Sequence, residues 1–216
     1  MSDQIELFYA PQTRATGVRV LLEELGVPYK LSFLNLKLGE NRRLDYLALN
    51  PAGKVPALRH GEAIVTEQVA IYLYLADLFP GKGLAPALTD PLRGPYLRWF
   101  VYMAACFEPA LIDRAMKRDE APQVMSAYGS YDTVMETMRA QLATGPYVLG
   151  ERITAVDVLW ATGLRAGMAY GLVPEFEEFK VFTDNYFQRP APQTVLQDDQ
   201  RLVADQQEAA EKAGVA

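Results

Sequence analysis

The stretch Asn50-Pro51-Ala52-Gly53-Lys54-Val55-Pro56-Ala57-Leu58, followed by Gly61 and Ile64-Val65-Thr66-Glu67-Gln68-Val69-Ala70-Ile71, constrains this chain most. Pro51 and Gly53 predict a turn that ends whatever precedes them. Val55 to Leu58 and Glu62 to Val65 are short apolar runs around His60-Gly61, which predicts an antiparallel hairpin. Pro56 has no N–H to give to a ladder, so strand backbone beside it stays unpaired. Thr66 suits the N-cap of a helix reaching Leu78, and the N–H groups of residues 67 and 68 are then placed to hold a carboxylate. Each device also has a plain structural reading, an edge-strand proline and a capped helix start. Side by side, they suggest recognition of an extended acidic peptide.

The preceding residues build a small α/β unit. Ile5 to Tyr9 reads as a strand ended by Pro11, and residues 12–17 as a polar loop. A helix is expected from about Thr16 to Leu25, with Val18, Leu21, Leu22 and Leu25 on one face, Gly26 as its C-cap and Pro28 forbidding continuation. Tyr29 to Leu34 is a second strand, parallel to the first through a right-handed crossover. Asn41 to Leu49 reads as a short helix with Leu44, Leu47 and Ala48 inward. The order is βαβ, then α, then ββα, around a small mixed sheet.

The totals narrow the function classes. With 216 residues, 50% of them hydrophobic, the chain can bury one or two real cores. Its 21 basic and 27 acidic residues give a net charge of -6 without a basic patch, so nucleic acid is not an expected partner. A single cysteine, Cys106, excludes an intrachain disulfide and any cysteine-based metal site, and favours a reducing, cytoplasmic setting. His60 is the one histidine, which argues against a histidine-rich metal site or a serine-histidine-acid triad. No secretory leader and no apolar run long enough to span a membrane is visible, so no membrane partner is expected.

Phe79-Pro80-Gly81-Lys82-Gly83-Leu84-Ala85-Pro86 is the natural domain boundary. Beyond it every segment reads as helix. One, capped by Thr89 or Asp90, runs to about Met116 and carries Trp99, Phe100, Tyr102, Met103, Cys106 and Phe107 on more than one face, with Pro95 and Pro109 placed to bend or split it. Another covers about Val124 to Ala143 and packs through Met125, Tyr128 and Val134. Thr154 and Asp157 have capping-box spacing and open an apolar helix to about Met168, so both read as structural. A helix over Glu175 to Gln188 and a short one from Pro190 complete the chain. The expected partition is 1–79, a linker 80–88, an all-helical domain 89–204 and a frayed tail 205–216.

These segments resemble the cytosolic glutathione transferases, in order and nearly end to end from Ile5 to about Gln200. The resemblance lies in Leu21-Leu22-Glu23-Glu24-Leu25-Gly26-Val27-Pro28-Tyr29, in Asn50 to Leu58, in Thr66 to Ile71, in Tyr147-Val148-Leu149-Gly150 with Thr154 and Asp157, and in Arg189-Pro190-Ala191. It implies a thioredoxin-like N-terminal α/β domain followed by an all-α domain, as a homodimer active in detoxification. It also implies glutathione as co-substrate, lying along Val55 with Pro56 cis. The γ-glutamyl carboxylate would meet the helix start at Glu67 and Gln68, Glu67 would face the ligand's amino group, and Lys54 would reach the glycyl carboxylate. The family commonly has serine at the Gln68 position; glutamine keeps the backbone N–H and offers an amide donor.

A glutathione thiol reacts as its thiolate, and a hydrogen-bond donor aimed at sulfur favours that form. The loop after the first strand offers Tyr9, Thr13 and Thr16. By resemblance Thr13 falls where the family usually has serine and is the first choice; Thr16 or the backbone N–H of Arg14 comes next, with the Arg14 charge as a further aid. The electrophile site would lie between the domains, with Tyr102, Cys106, Phe107 and Tyr170 as its wall. The expected activity is addition of the thiolate to a small hydrophobic electrophile. A glutathione-dependent isomerase, dehalogenase or peroxidase is one alternative, and a non-catalytic glutathione-binding or regulatory protein another.

Overall fold

The computed structural model describes residues 4–119 and 121–215, which fall into two compact units. One runs to Leu75 and takes in the chain from Arg189 onward; the other is Ala76–Gln188.

The first unit holds a four-stranded sheet in the order β2-β1-β3-β4, with β1 Ile5–Tyr9, β2 Tyr29–Phe33, β3 Ala57–His60 and β4 Ala63–Thr66. β1 runs parallel to β2 and antiparallel to β3, and β3 and β4 form the expected hairpin. Between β1 and β2 lies α1, Ala15–Leu25, which buries Val18, Leu21, Leu22 and Leu25. It ends at Gly26, whose φ of 58° is the left-handed value that costs glycine least; the Gly26 N–H closes the helix on Leu22 and Glu23 carbonyls. This sheet with its helices is the thioredoxin-like arrangement.

The segment before β3 differs from expectation. Glu40–Arg42 forms one 3-10 turn, and α2, Leu44–Leu49, starts only after the extended Arg43. The new phase turns Leu44 outward (87% exposed) and Ala48 with it, and buries Tyr46, whose ring lies 5.6 Å from that of Phe8. The next helix, α3 Gln68–Leu78, begins two residues beyond Thr66, because Thr66 is the last residue of β4, paired with Ala57. The Glu67 carbonyl accepts from Ile71 N at 3.0 Å, so Glu67 and not Thr66 caps this helix. Ala70 is exposed, and the buried residues toward Leu75 are Ile71, Tyr72 and Leu75.

The second unit is helical: α4 Arg93–Tyr102, α5 Glu108–Ala115, α6 Tyr131–Leu142, α7 Ala155–Ala169 and α8 Glu177–Phe187. The long helix expected to Met116 is split by a π-helical turn over Met103–Phe107. Pro109 explains the split: it brings no N–H for the carbonyl four residues back, and the wider turn lets the chain pass it without breaking. The helix expected from Val124 starts at Tyr131, where the Ser130 hydroxyl accepts from Thr133 N at 3.2 Å. Val124 and Met125 are exposed and do not pack. Thr154 and Asp157 form the expected cap of α7. The Asp157 carboxylate accepts from Val148 N at 2.7 Å, Thr154 N at 2.7 Å and the Thr154 hydroxyl at 2.9 Å.

The last helix departs furthest from expectation. α9 is Pro190–Lys212, 23 residues, and groups with the first unit. Pro192, Val195, Asp199, Gln206 and Ala210 are buried, at spacings of three, four, seven and four residues. The segment expected to fray from 205 is therefore helical to Lys212, with Gln206 and Ala210 buried on the inward stripe. No helix among the described residues is long and apolar enough to cross a membrane.

Candidate functional site

Strand register gathers three segments at one end of the sheet. The β1–β3 ladder ends at Phe8–Ala57 and the β3–β4 ladder at Ala57–Thr66. The next residues outward are Tyr9 and Ala10, Pro56 and Val55, and Glu67 and Gln68. The loop after β1, the proline-marked backbone and the start of α3 are thus neighbours by pairing, although they lie far apart in sequence.

The middle segment is held by its own turn. The Lys54 carbonyl accepts from the Tyr46 hydroxyl at 2.5 Å and from Asn50 Nδ2 at 2.8 Å. Gly53 N donates to the Asn50 carbonyl at 2.8 Å, and the Gly53 carbonyl accepts from Asn41 Nδ2 at 2.8 Å. Gly53 has φ of 59°, and a Cβ there would stand 2.9 Å from the Asn41 carbonyl and 2.7 Å from Arg42 Nη1. Only glycine fits. The Val55–Pro56 peptide bond is cis. Val55 is half-buried beside Phe8 and Tyr46, Pro56 is buried and Lys54 is exposed.

At the third segment Glu67 has φ of 66°, a left-handed value that side chains other than glycine's rarely adopt. Such local strain collects at ligand-binding turns. Glu67 is exposed and Gln68 half-buried, and the first N–H groups of α3 have no partner within their own helix.

In the loop after β1, Thr13 is half-buried and its hydroxyl is engaged twice. It donates to the Ala10 carbonyl at 2.7 Å and accepts from Ala15 N at 3.1 Å. Arg14 is exposed and is the residue before α1. The Thr16 hydroxyl donates to Asp199 Oδ2 at 3.0 Å and lies 3.3 Å from the Tyr9 hydroxyl. Tyr9 is fully buried and donates to Asp199 Oδ1. Burial first, and then the Asp199 charge, push the Tyr9 phenol far above the usual tyrosine range, so it remains a neutral donor. The buried Arg19 guanidinium lies 5.5 Å from the centre of the Tyr9 ring and pairs with both Asp198, at 2.5 Å, and Asp199, at 3.5 Å.

Of the proposed substrate wall, Tyr102 and Phe107 both lie against Trp160. Phe107 is 1% exposed and its ring sits 5.0 Å from that of Trp160, so it fills the core. Tyr102 is half-buried, with Trp99 at 5.4 Å and Trp160 at 6.4 Å. Cys106 is half-buried within the π turn, where burial pushes its thiol up. Tyr170 is 71% exposed. Among the described residues no group of three or more histidine, cysteine or acidic side chains is arranged to hold a metal ion.

Sequence alone missed Tyr46 as the group that anchors Lys54, and Asp199 as the acceptor of the β1–α1 loop. For Asp199 a signal existed: it occupies a position of the 192–195–199–206–210 stripe where an apolar residue belongs.

The fold is a thioredoxin-like sheet with a cis proline at the mouth of β3 and a left-handed residue at the start of α3, followed by a helical unit. The family model described as the Glutathione S-transferase N-terminal domain matches residues 3–77. Glutathione S-transferase GstA of Escherichia coli O157:H7 is 28% identical over 200 residues, 89% of this chain and 97% of its own. A glutathione transferase from Methylococcus capsulatus strain Bath superposes with a TM-score of 0.75 at 25% identity, over 90% of this chain and 98% of its own. A homologue from Sulfitobacter, solved with bound glutathione, gives 0.72 at 26% identity, over 91% and 99%. The chain is thus similar to the N-terminal domain of glutathione S-transferases over residues 3–77, and to whole glutathione transferases over about nine-tenths of its length.

Proposed function

We propose that the protein is a glutathione S-transferase that adds the glutathione thiolate to a small hydrophobic electrophile. The observation that carries this is the register-imposed meeting of the β1–α1 loop, Val55–Pro56 and Glu67–Gln68. The peptide backbone of glutathione lies along Val55, its γ-glutamyl carboxylate meets the N–H groups at Glu67 and Gln68, and Lys54 reaches the glycyl carboxylate. A helix N-terminus favours that negative charge through its dipole and its unpaired donors.

Thr13 is the proposed thiol donor. Its proton rests on the Ala10 carbonyl and turns onto sulfur when the thiolate arrives, a charge-assisted bond replacing a neutral one. Arg14 adds positive charge, and Thr16 holds the loop. Tyr102 and Cys106 remain the proposed electrophile contacts, with Tyr170 at the exposed end of α7; Phe107 supports them from the core. Reaction then needs little beyond thiolate formation and positioning. The protein works as a homodimer, supported by the apolar residues Leu92, Leu97 and Val101 that α4 and its approach expose, and in the cytoplasm, a setting that its single cysteine favours.

A second reading, a glutathione-binding protein without transferase activity, is favoured by one observation: the Thr13 and Thr16 hydroxyls both have internal acceptors. Calorimetric titration with glutathione, run beside a conjugation assay with a chlorodinitrobenzene, separates the two. Binding with turnover supports the transferase, binding without turnover supports the second reading, and no binding contradicts both.

A further inference from the structure

Asp199 stands more than 180 residues from the β1–α1 loop in sequence, yet its carboxylate receives that loop's hydroxyls. Oδ1 takes the Tyr9 hydroxyl and Oδ2 takes the Thr16 hydroxyl at 3.0 Å, and Arg19 Nη1 lies 3.5 Å from Oδ1. Tyr9 is the last residue of β1 and Thr16 lies in the first turn of α1. Residues 10–15 are therefore strung between two points that share one buried acceptor.

The chemistry of the site requires a carboxylate. Two hydroxyl donors and a guanidinium converge on it, and an ionised carboxylate is acceptor-only with room for all three. An asparagine in its place has one acceptor oxygen, and its NH2 group would face a donor. Attachment of α9 to α1 does not depend on Asp199 alone. Arg189 forms a two-pronged pair with Glu24 at 2.7 and 2.8 Å, and Asp198 holds Arg19 Nη2 at 2.5 Å. Further along, the Gln206 carbonyl accepts from Asn35 Nδ2 at 3.2 Å, and Asn35 Oδ1 accepts from Lys37 N and Leu38 N. The helix is thus tied down at several places, and Asp199 is the place where its carboxylate meets the two hydroxyls that flank the loop after β1.

We propose that Asp199 is a positioning residue for the glutathione thiol: it fixes both ends of the 10–15 loop and keeps the Tyr9 and Thr16 protons away from sulfur, so that the thiol meets Thr13. This inference rests on the reading of that loop as the thiol site. Tyr9 is completely buried, so it acts on the thiol only through the loop that it anchors. C-terminal sequence outside the thioredoxin-like core thereby sets the chemistry of an N-terminal loop.

The test uses the full chain with Asp199→Asn, Tyr9→Phe and Asp198→Ala. Three quantities are measured: the pKa of the bound glutathione thiol by ultraviolet thiolate titration, kcat and KM for glutathione, and amide hydrogen exchange over residues 10–17. Asp199→Asn is expected to raise the thiol pKa by about one unit, which is a tenfold shift in the thiol–thiolate equilibrium. It should lower kcat about tenfold, leave KM for glutathione within about threefold, and speed exchange in the loop. Tyr9→Phe removes one hydroxyl with little change of shape. It should shift the same quantities in the same direction, and it serves if Asp199→Asn does not fold. Asp198→Ala cuts the Arg19 pair without touching either hydroxyl contact, so it should lower Tm and leave thiol pKa and loop exchange unchanged. Unchanged thiol pKa and loop exchange in both Asp199→Asn and Tyr9→Phe would overturn the proposal, as would equal shifts in Asp198→Ala. If the wild-type protein takes up no glutathione, the transferase reading falls, and loop exchange alone decides whether Asp199 positions the loop.

Discussion

Thr13 carries one hydroxyl proton, and Ala10 receives it in this structure. If that proton serves sulfur in the complex, Thr13→Ala raises the pKa of the bound thiol and lowers kcat while the glutathione dissociation constant changes little. Thr13→Ser, which keeps the hydroxyl, restores both; thiolate titration of the three proteins checks this. Gly53 offers a second test at the same scale. Its left-handed φ and the 2.9 Å approach of the Asn41 carbonyl leave no room for a methyl group. Gly53→Ala should cost about 1–2 kcal/mol of stability and move the Lys54–Val55 backbone. Weaker glutathione binding, with no change in thiol pKa, is the expected signature in calorimetry. Neither residue's role could be read fully from sequence. A turn at Gly53 was legible because glycine and proline punctuate chains, but the Arg42 and Asn41 atoms that crowd it come from another turn. The Thr13 hydroxyl's partner depends on how the loop folds back on itself.

At the scale of elements, the cap of α7 was legible to the residue. Thr154 and Asp157 interact across one helical turn, and such local chemistry is written in spacing. Asp157 is completely buried and three donors converge on it. Asp157→Ala strands the buried Val148 and Thr154 N–H groups and should lower the unfolding free energy by about 3 kcal/mol or more. Burial outweighs the donors and pushes its carboxyl up to about 6. An acid whose folded pKa exceeds its unfolded value binds a proton more readily when folded. Its contribution to stability is therefore greatest below about pH 4 and is lost as pH rises through about 6. The difference in urea midpoint between wild type and Asp157→Asn, followed from pH 4 to 7, should fall along that window. Other elements were less legible. The phase of α2 is not written in its apolar spacing, because extended Arg43 interrupts the helix and resets which side chains face in. Pro109 marks where the long helix is interrupted but does not say that the interruption is a π turn, and the length of α9 depends on tertiary contacts: Asp199 meets Tyr9 and Thr16, and Arg189 meets Glu24, across most of the sequence.

For the whole molecule, the order of segments carried the α/β-then-helical plan, since strand and helix periodicities differ and the Phe79–Pro86 breakers separate them. Assignment of α9 to the first unit was not legible, because the polar composition after Asp205 hides a narrow inward stripe. The exposed Leu97 and Val101 of α4 belong to an interface if the protein is a homodimer. Sedimentation equilibrium should then give twice the 24.1 kDa of one chain, and Val101→Glu should shift it toward the single-chain mass. The central claim, that three segments brought together by strand register hold glutathione, is tested most directly by a crystal structure of the complex. The account predicts the peptide backbone along Val55, the γ-glutamyl carboxylate on the Glu67 and Gln68 N–H groups, and sulfur at the Thr13 hydroxyl. Glutathione bound elsewhere, or bound with its γ-glutamyl carboxylate away from the start of α3, would contradict it.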